Sequence, residues 1–284
     1  MKQFTTWGEA YDWYWNNVAK HQKQAKQFRI NSQQIFNYAG KSFPLSRMEK
    51  GMFWIEFQNH LLEENPTMSG STVNRILSVA TTVLKRTNES GLHSVELPHF
   101  KRQKEGEGRL VWFSKDQVEK MAFHATDVFA REDLSDAIIF AAFTGLRQAE
   151  MLKLKPEDID LDKGIIYVGG KPKNTTKTGN CRMVPIHSKV LPILENRLSN
   201  RRRIFGDDWL NKDQLYRAFR KVRKYCGISE DYVWHSLRHS CGTFLGEVTH
   251  PRQIMAIMGH KSLTTSLRYT HATDKSLRNA MDAI

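Results

Sequence analysis

The chain has 284 residues, enough for one large domain or two ordinary ones, and its 40% apolar content suffices for real cores. Its 43 Lys and Arg outnumber 30 Asp and Glu, for a net charge of +13. An excess of that size points to a polyanionic partner, nucleic acid ahead of an anionic membrane surface, and no run approaches the roughly 18 apolar residues that cross a bilayer.

The start, Met1 to Glu9, lacks the apolar core of a secretory signal, so a cytoplasmic chain is expected. Cys181, Cys226 and Cys241 form no CxxC pair and offer neither a disulfide framework nor a zinc site. Residues up to about 97 read as helical throughout. Trp7, Tyr11, Trp15 and Val18 recur at helical spacing, and Met52, Phe53, Trp54, Ile55 and Phe57 form a second apolar segment with Leu61 and Leu62. Ser71 to Asn74 is expected to cap a third helix, with Ile76, Leu77, Ala80, Val83 and Leu84 inside, Lys85 and Arg86 in its last turn, and Gly91 as the stop. Together these segments read as a small helical bundle with Lys20, Lys23, Lys26, Arg29, Arg75, Lys85 and Arg86 on its outer surfaces.

Pro98 to Arg109 is nearly devoid of apolar residues over its second half and reads as an exposed linker. Beyond it, Ser114-Lys115-Asp116-Gln117 is a capping-box pattern, and Leu134 to Phe143 is an apolar helix broken at Gly145. Gly164 to Val168 and Arg182 to Ile186 read as short strands around a turn rich in lysine. Helices are expected again over 188–198, 211–226, 235–247, 251–257 and 262–271, followed by a tail from Asp274.

Several residues carry chemistry. Arg147 and Glu150, three apart, share a helical face, either as an oriented guanidinium with its carboxylate or as an ordinary surface salt bridge. His235 and Arg238 repeat that spacing, with His239 on another face as a structural neighbour. His260 follows the glycine that closes a helix, exposed either to reach a phosphate or as a cap. Tyr269 is a phenol whose ionisation calls for nearby positive charge. The turn holding Lys171, Lys173 and Lys177 can contact a DNA backbone or protonate a leaving oxygen.

In their order, Arg-x-x-Glu, lysine turn, His-x-x-Arg, Gly-His and Tyr, these motifs resemble the catalytic domain of the tyrosine recombinases, the phage integrase family, over about residues 110–273. The resemblance implies that Arg147 and Arg238 hold the scissile phosphate and that Tyr269 attacks it to give a 3′-phosphotyrosyl enzyme. It further implies that Lys177 protonates the leaving 5′ oxygen, His235 takes the tyrosine proton, His260 hydrogen-bonds the phosphate and Glu150 supports the set. Lys171 and Lys173 remain rivals for the acid, and Met258 stands where the family usually has leucine. No metal, nucleotide or other cofactor is implied.

The fold expected is mainly α with a small antiparallel sheet (α+β). A helical DNA-binding domain over 1–97, contacting DNA through residues such as Arg75, Lys85 and Arg86, precedes a linker over 98–110. A catalytic domain over 111–273 and a docking tail over 274–284 complete it, and the two domains together make a clamp on DNA. No arm-site domain is expected before the first helix, which puts arm-site binding in doubt. The partners implied are double-stranded DNA attachment or core sites, copies of the chain in a synaptic tetramer (a monomer when free), and accessory DNA-bending or directionality proteins, in a phage or other mobile element. A type IB topoisomerase shares the catalytic set, and a non-catalytic DNA-binding regulator shares the charge; the tail and the intact series of residues favour the recombinase.

Overall fold

A computed structural model of the chain describes residues 3–106, 110–170, 181–199, 201–270 and 281. They divide into two compact units, Met1–Gly108 and Arg109–Ile284.

The first unit is built from α1 (Trp7–Asn17), α2 (Ala25–Ala39), α3 (Gly51–Glu64) and α4 (Gly70–Glu89). Thr6 opens α1 in a capping box with Glu9, which satisfies backbone donors that the first turn leaves without partners. The core is strongly aromatic: Trp7, Trp54 and Phe57 are fully buried, and Tyr11 meets Phe36 edge-on at 4.8 Å. On α3 the helical period separates buried Phe53, Trp54 and Phe57 from Met52 and Ile55, which are exposed. Ser69, not Ser71, caps α4 by accepting the Thr72 N–H, because the helix begins two residues earlier than the Ser-Thr pair suggests. Arg75, Lys85 and Arg86 lie on its exposed side, where the last two pair with Glu89.

Helix does not continue to residue 97. It ends at Glu89, and beyond Gly91, at φ +69, the chain is irregular, with Leu92 and His93 buried. The stretch over 98–110, expected to be an exposed linker, is fastened at its described ends. Phe100 stacks on Trp54 at 4.7 Å, Asn74 exchanges hydrogen bonds with the Gln103 backbone, and Arg102 donates to Ser78 at 2.8 Å. At the far end Leu110 packs within the second unit. Polar side chains spaced along one face of α4 hold a segment whose composition reads as free.

The second unit contains α5 (Lys115–Asp127), α6 (Glu132–Thr144), α7 (Gln148–Met151), a sheet, and then α8 (Leu191–Arg197), α9 (Lys212–Tyr225), α10 (Trp234–Gly246), α11 (Pro251–Met258) and α12 (Leu263–Leu267). The Ser114–Gln117 capping box opens α5 as its sequence pattern predicts. Helix α6 is apolar nearly all round, as expected for a helix in the middle of a core, and it packs against α5 and α10. The sheet is antiparallel in the order β1 (Ile159–Asp160), β2 (Ile165–Val168), β3 (Arg182–Pro185), with Ile166 opposite Val184. Two-residue β1 is too short to leave a legible period in the sequence. Helix α12 covers only five of the ten residues expected over 262–271, because Ser262 caps it late and the chain leaves it at Arg268. Among the described residues no helix is long and apolar enough to cross a membrane.

Candidate active site

Gly145 ends α6 in the left-handed conformation at φ +64, and the turn that follows delivers Arg147 to the start of α7. There the Arg147 backbone N–H donates to Glu150 Oε2 at 2.9 Å and its guanidinium to Oε1 at 2.8 Å. Glu150 also takes a two-pronged contact from Arg182 of β3, at 3.1 and 2.7 Å, while Arg182 Nε donates to the Ile257 carbonyl at 2.8 Å. One carboxylate therefore joins the α6–α7 turn to the sheet, and Arg182 carries the connection on to the end of α11. The arrangement is an oriented guanidinium rather than a loose surface ion pair.

Arg238 approaches from α10. Its two terminal nitrogens donate to the carbonyls of Gly145 and Met258, and its side chain is buried. Planar guanidinium suits this task, because one rigid fork can hold two carbonyls and still present edges to an anion. Gly259 caps α11 at φ +65, which turns the chain so that His260 enters the same neighbourhood. His260 is half-buried rather than exposed, with Nδ1 2.8 Å from Ser266 Oγ.

Tyr269 is 4% exposed and packs with Ile254 and Met258. Its hydroxyl lies 2.7 Å from Nδ1 of His239, and its ring is stacked on His260 at 6.0 Å. On α10, His239, Gly242 and Gly246 fall on one face, and the two glycines leave a groove for the tyrosine. A β-carbon at Gly242 would sit 2.7 Å from the Tyr269 ring, and one at Gly246 would collide with the Tyr269 carbonyl. Gly242→Ala is therefore expected to displace the phenol and slow its chemistry by about 100-fold, the scale of an ångström-sized misplacement. Single-turnover kinetics beside a DNA-binding titration checks this: slowing should come without loss of affinity.

The electrostatics favour an anion. Burial, then Arg238, Arg147, Arg182 and Arg268, hold His260 at about 4. Burial, then His235 and Arg238, do the same to His239, also at about 4. Burial, with help from Arg238 and Arg147, lowers His235 as well. Arg238 is brought down to about 10 by burial and by its neighbours Arg147 and Arg182, and stays protonated at neutral pH. Glu150 moves the other way: burial pushes its carboxyl up, but hydrogen bonds from Arg182 and Arg147 outweigh that and hold it at about 2. Burial first, and the neighbouring positive charge second, thus keep three imidazoles neutral, and a phosphate would offset the second of these. Tyr269 itself departs from expectation, since burial raises its pKa despite the opposing Arg238 and Arg268.

Of the residues singled out in the sequence, Arg147, Glu150, Arg238, His260 and Tyr269 are brought together. His235 is on the same helix face as His239 and meets it edge-on at 4.8 Å. Lys171, Lys173 and Lys177 lie outside the described residues, as does the tail except Met281. Two further residues, His239 and Arg182, join this cluster. His239 looked like a structural neighbour because adjacent helix positions usually diverge, yet it is the one that reaches the phenol. Arg182 left a signal, a charge on the face of β3 that also carries buried Val184, where an arginine requires a partner.

The phage integrase family model matches residues 111–276, more than half of the chain, and the chain belongs to that family. Within it, tyrosine recombinase XerA of Pyrococcus furiosus is 31% identical over 184 residues, covering 60% of each chain. Tyrosine recombinase XerD of Listeria innocua is 28% identical over 182 residues, 58% of this chain and 59% of that one. The chain spans about three fifths of the length of these curated relatives. In fold, it superposes on the Tn1549 transposon integrase (residues 82–397) in complex with circular intermediate DNA, at TM-score 0.77 and 18% identity, covering 98% and 99% of the two chains. A lambda integrase tetramer bound to a Holliday junction gives TM-score 0.73 at 19% identity, over 95% of this chain and 79% of that one.

Proposed function

We propose that the chain is a site-specific recombinase that cuts and rejoins duplex DNA through a 3′-phosphotyrosyl intermediate. The observation that carries this reading is a buried Tyr269 hydroxyl, 2.7 Å from an imidazole on the helix that bears Arg238. A phenol so held, among arginines in excess of carboxylates, is arranged to attack phosphorus rather than to fill a core.

In the proposed cycle Arg147 and Arg238 bind the non-bridging oxygens and stabilise the charge that grows in the transition state. Glu150 and Arg182 keep Arg147 aimed, and His260 donates to the phosphate. The Tyr269 oxygen bonds to phosphorus as its proton leaves, the bond to the 5′ oxygen breaks, and that oxygen takes a proton from Lys177. The energy of the phosphodiester is kept in the phosphotyrosine, so rejoining needs no cofactor. A nicked half-site duplex tests the reading: a covalent adduct should form and should vanish in Tyr269→Phe.

Double-stranded DNA is the proposed partner, and the Tn1549 and lambda integrase complexes support it. The helical first unit contributes Arg75, Lys85 and Arg86 to the backbone, and Lys171 and Lys173 add contacts from the second. Assembly of four copies during strand exchange, use of residues 274–284 for docking, action in the cytoplasm and origin in a mobile element belong to the same proposal. With a net charge of +13, affinity should fall by about 10³-fold or more between roughly 50 and 200 mM salt. A fluorescence-anisotropy salt titration checks this, and a flat response would count against phosphate-led binding.

A further inference from the structure

We infer that His239 accepts the phenolic proton of Tyr269 during DNA cleavage, the role that resemblance to the family assigns to His235. This inference rests on the strand-cleavage reading above and names the proton's destination within it.

The geometry is direct. The Tyr269 hydroxyl is 2.7 Å from His239 Nδ1, within range for an O–H donating to an imidazole lone pair. The pair is also held from both sides. Gly242 and Gly246 fix the tyrosine against the His239 face of α10, and the stacked His260 ring closes the other flank. His235, one turn earlier, packs edge-on against His239 instead. His235 is the more exposed residue of the two.

Charge explains when the base acts. The groups facing His239 are His235 and Arg238 from its own helix, His260 beyond α11, and Arg268 and Tyr269 beyond α12. Burial first, then His235, Arg238, Arg268 and His260, keep the free ring uncharged, and the tautomer with its proton on Nε2 leaves Nδ1 to accept. A bound phosphate adds negative charge beside these cations, reducing the charge part of the penalty on an imidazolium at the moment the proton must move. The step balances: as the Tyr269 oxygen bonds to phosphorus its O–H bond breaks and the proton passes to Nδ1. The electron pair of the broken P–O5′ bond goes to the 5′ oxygen, which a separate acid protonates. Rejoining returns the proton from Nδ1 to the phenolate.

The test uses a nicked duplex carrying the sequence that the Tyr269→Phe chain retains from a random-sequence pool. His239→Ala and His239→Asn should each slow single-turnover adduct formation by about 100-fold or more at unchanged duplex affinity. Asparagine can still hold the hydroxyl but cannot take its proton, so a normal rate in that variant overturns the inference, as does a normal rate in alanine. Sulfur in place of the 5′-bridging oxygen makes a leaving group that needs no proton; it should not restore either variant, and restoration would move His239 to the leaving-group side. In the unaltered chain, ¹⁵N chemical shifts should report His239 protonated on Nε2 alone, and a proton on Nδ1 overturns the assignment without any substitution. Should the unaltered chain form no adduct on this probe, the cleavage reading itself falls; an undiminished adduct in the variants removes only the role of His239.

Discussion

Tyr269→Phe is expected to reduce covalent adduct formation by about 10⁴-fold or more, the scale on which loss of an enzymic nucleophile acts. The substitution removes one oxygen and keeps the ring. The ring is what fills the groove over Gly242 and Gly246 and packs on His260, Ile254 and Met258. The cost to the fold is one hydrogen bond to His239, about 1 kcal/mol. DNA affinity should therefore survive, since the proposal rests it on the arginines and the exposed basic residues, and the two readouts should separate cleanly. Denaturing electrophoresis of the nicked-substrate reaction, beside a binding isotherm, makes the measurement. An adduct of undiminished yield in the phenylalanine variant would mean that another nucleophile acts and that buried Tyr269 is part of the core.

Much of this site is legible in the sequence because its residues are placed by local rules. Arg147 and Glu150 meet through an i,i+3 spacing, and a glycine break sets the angle of each approach, at Gly145 and at Gly259. Helix and strand assignments in the second unit follow from apolar periodicity and from the Ser114 cap. What could not be read depends on tertiary packing. Nothing in His235-Ser236-Leu237-Arg238-His239 says which imidazole faces position 269; that is decided by where α12 returns to α10, and by two glycines whose absent side chains admit a ring. His260 is half-buried for the same reason, since Ser266 arrives from a later helix. Phe100 and Asn74 fasten a segment that composition marks as free, because a few long-range partners outweigh a polar average.

Glu150→Gln should produce the second large effect, and its two parts can be distinguished by pH. Glu150 is held at about 2 by Arg182 and Arg147, against an ordinary value of 4.5. A carboxylate whose folded pKa is depressed stabilises the fold above its unfolded pKa and loses that contribution as pH falls. The window here runs from about pH 4.5 down to about 2. The shift corresponds to at most about 3 kcal/mol at neutral pH, with the side chain mostly shielded from solvent. Thermal unfolding of the glutamine variant should thus be lowered at pH 7, with a flatter acid limb than that of the unaltered chain. Chemistry should suffer as well. A neutral amide cannot neutralise two guanidinium groups, so Arg147 is released from its aim while its charge remains. DNA affinity should hold or rise, and single-turnover cleavage should drop by up to about 100-fold. Arg182→Lys provides the companion result: an ammonium cannot make the two-pronged contact with Glu150 and also reach the Ile257 carbonyl, so it should reproduce the kinetic loss with the carboxylate intact. Equal cleavage rates in both variants and the unaltered chain would reduce Glu150 and Arg182 to a stabilising ion pair and leave Arg147 aimed by other means.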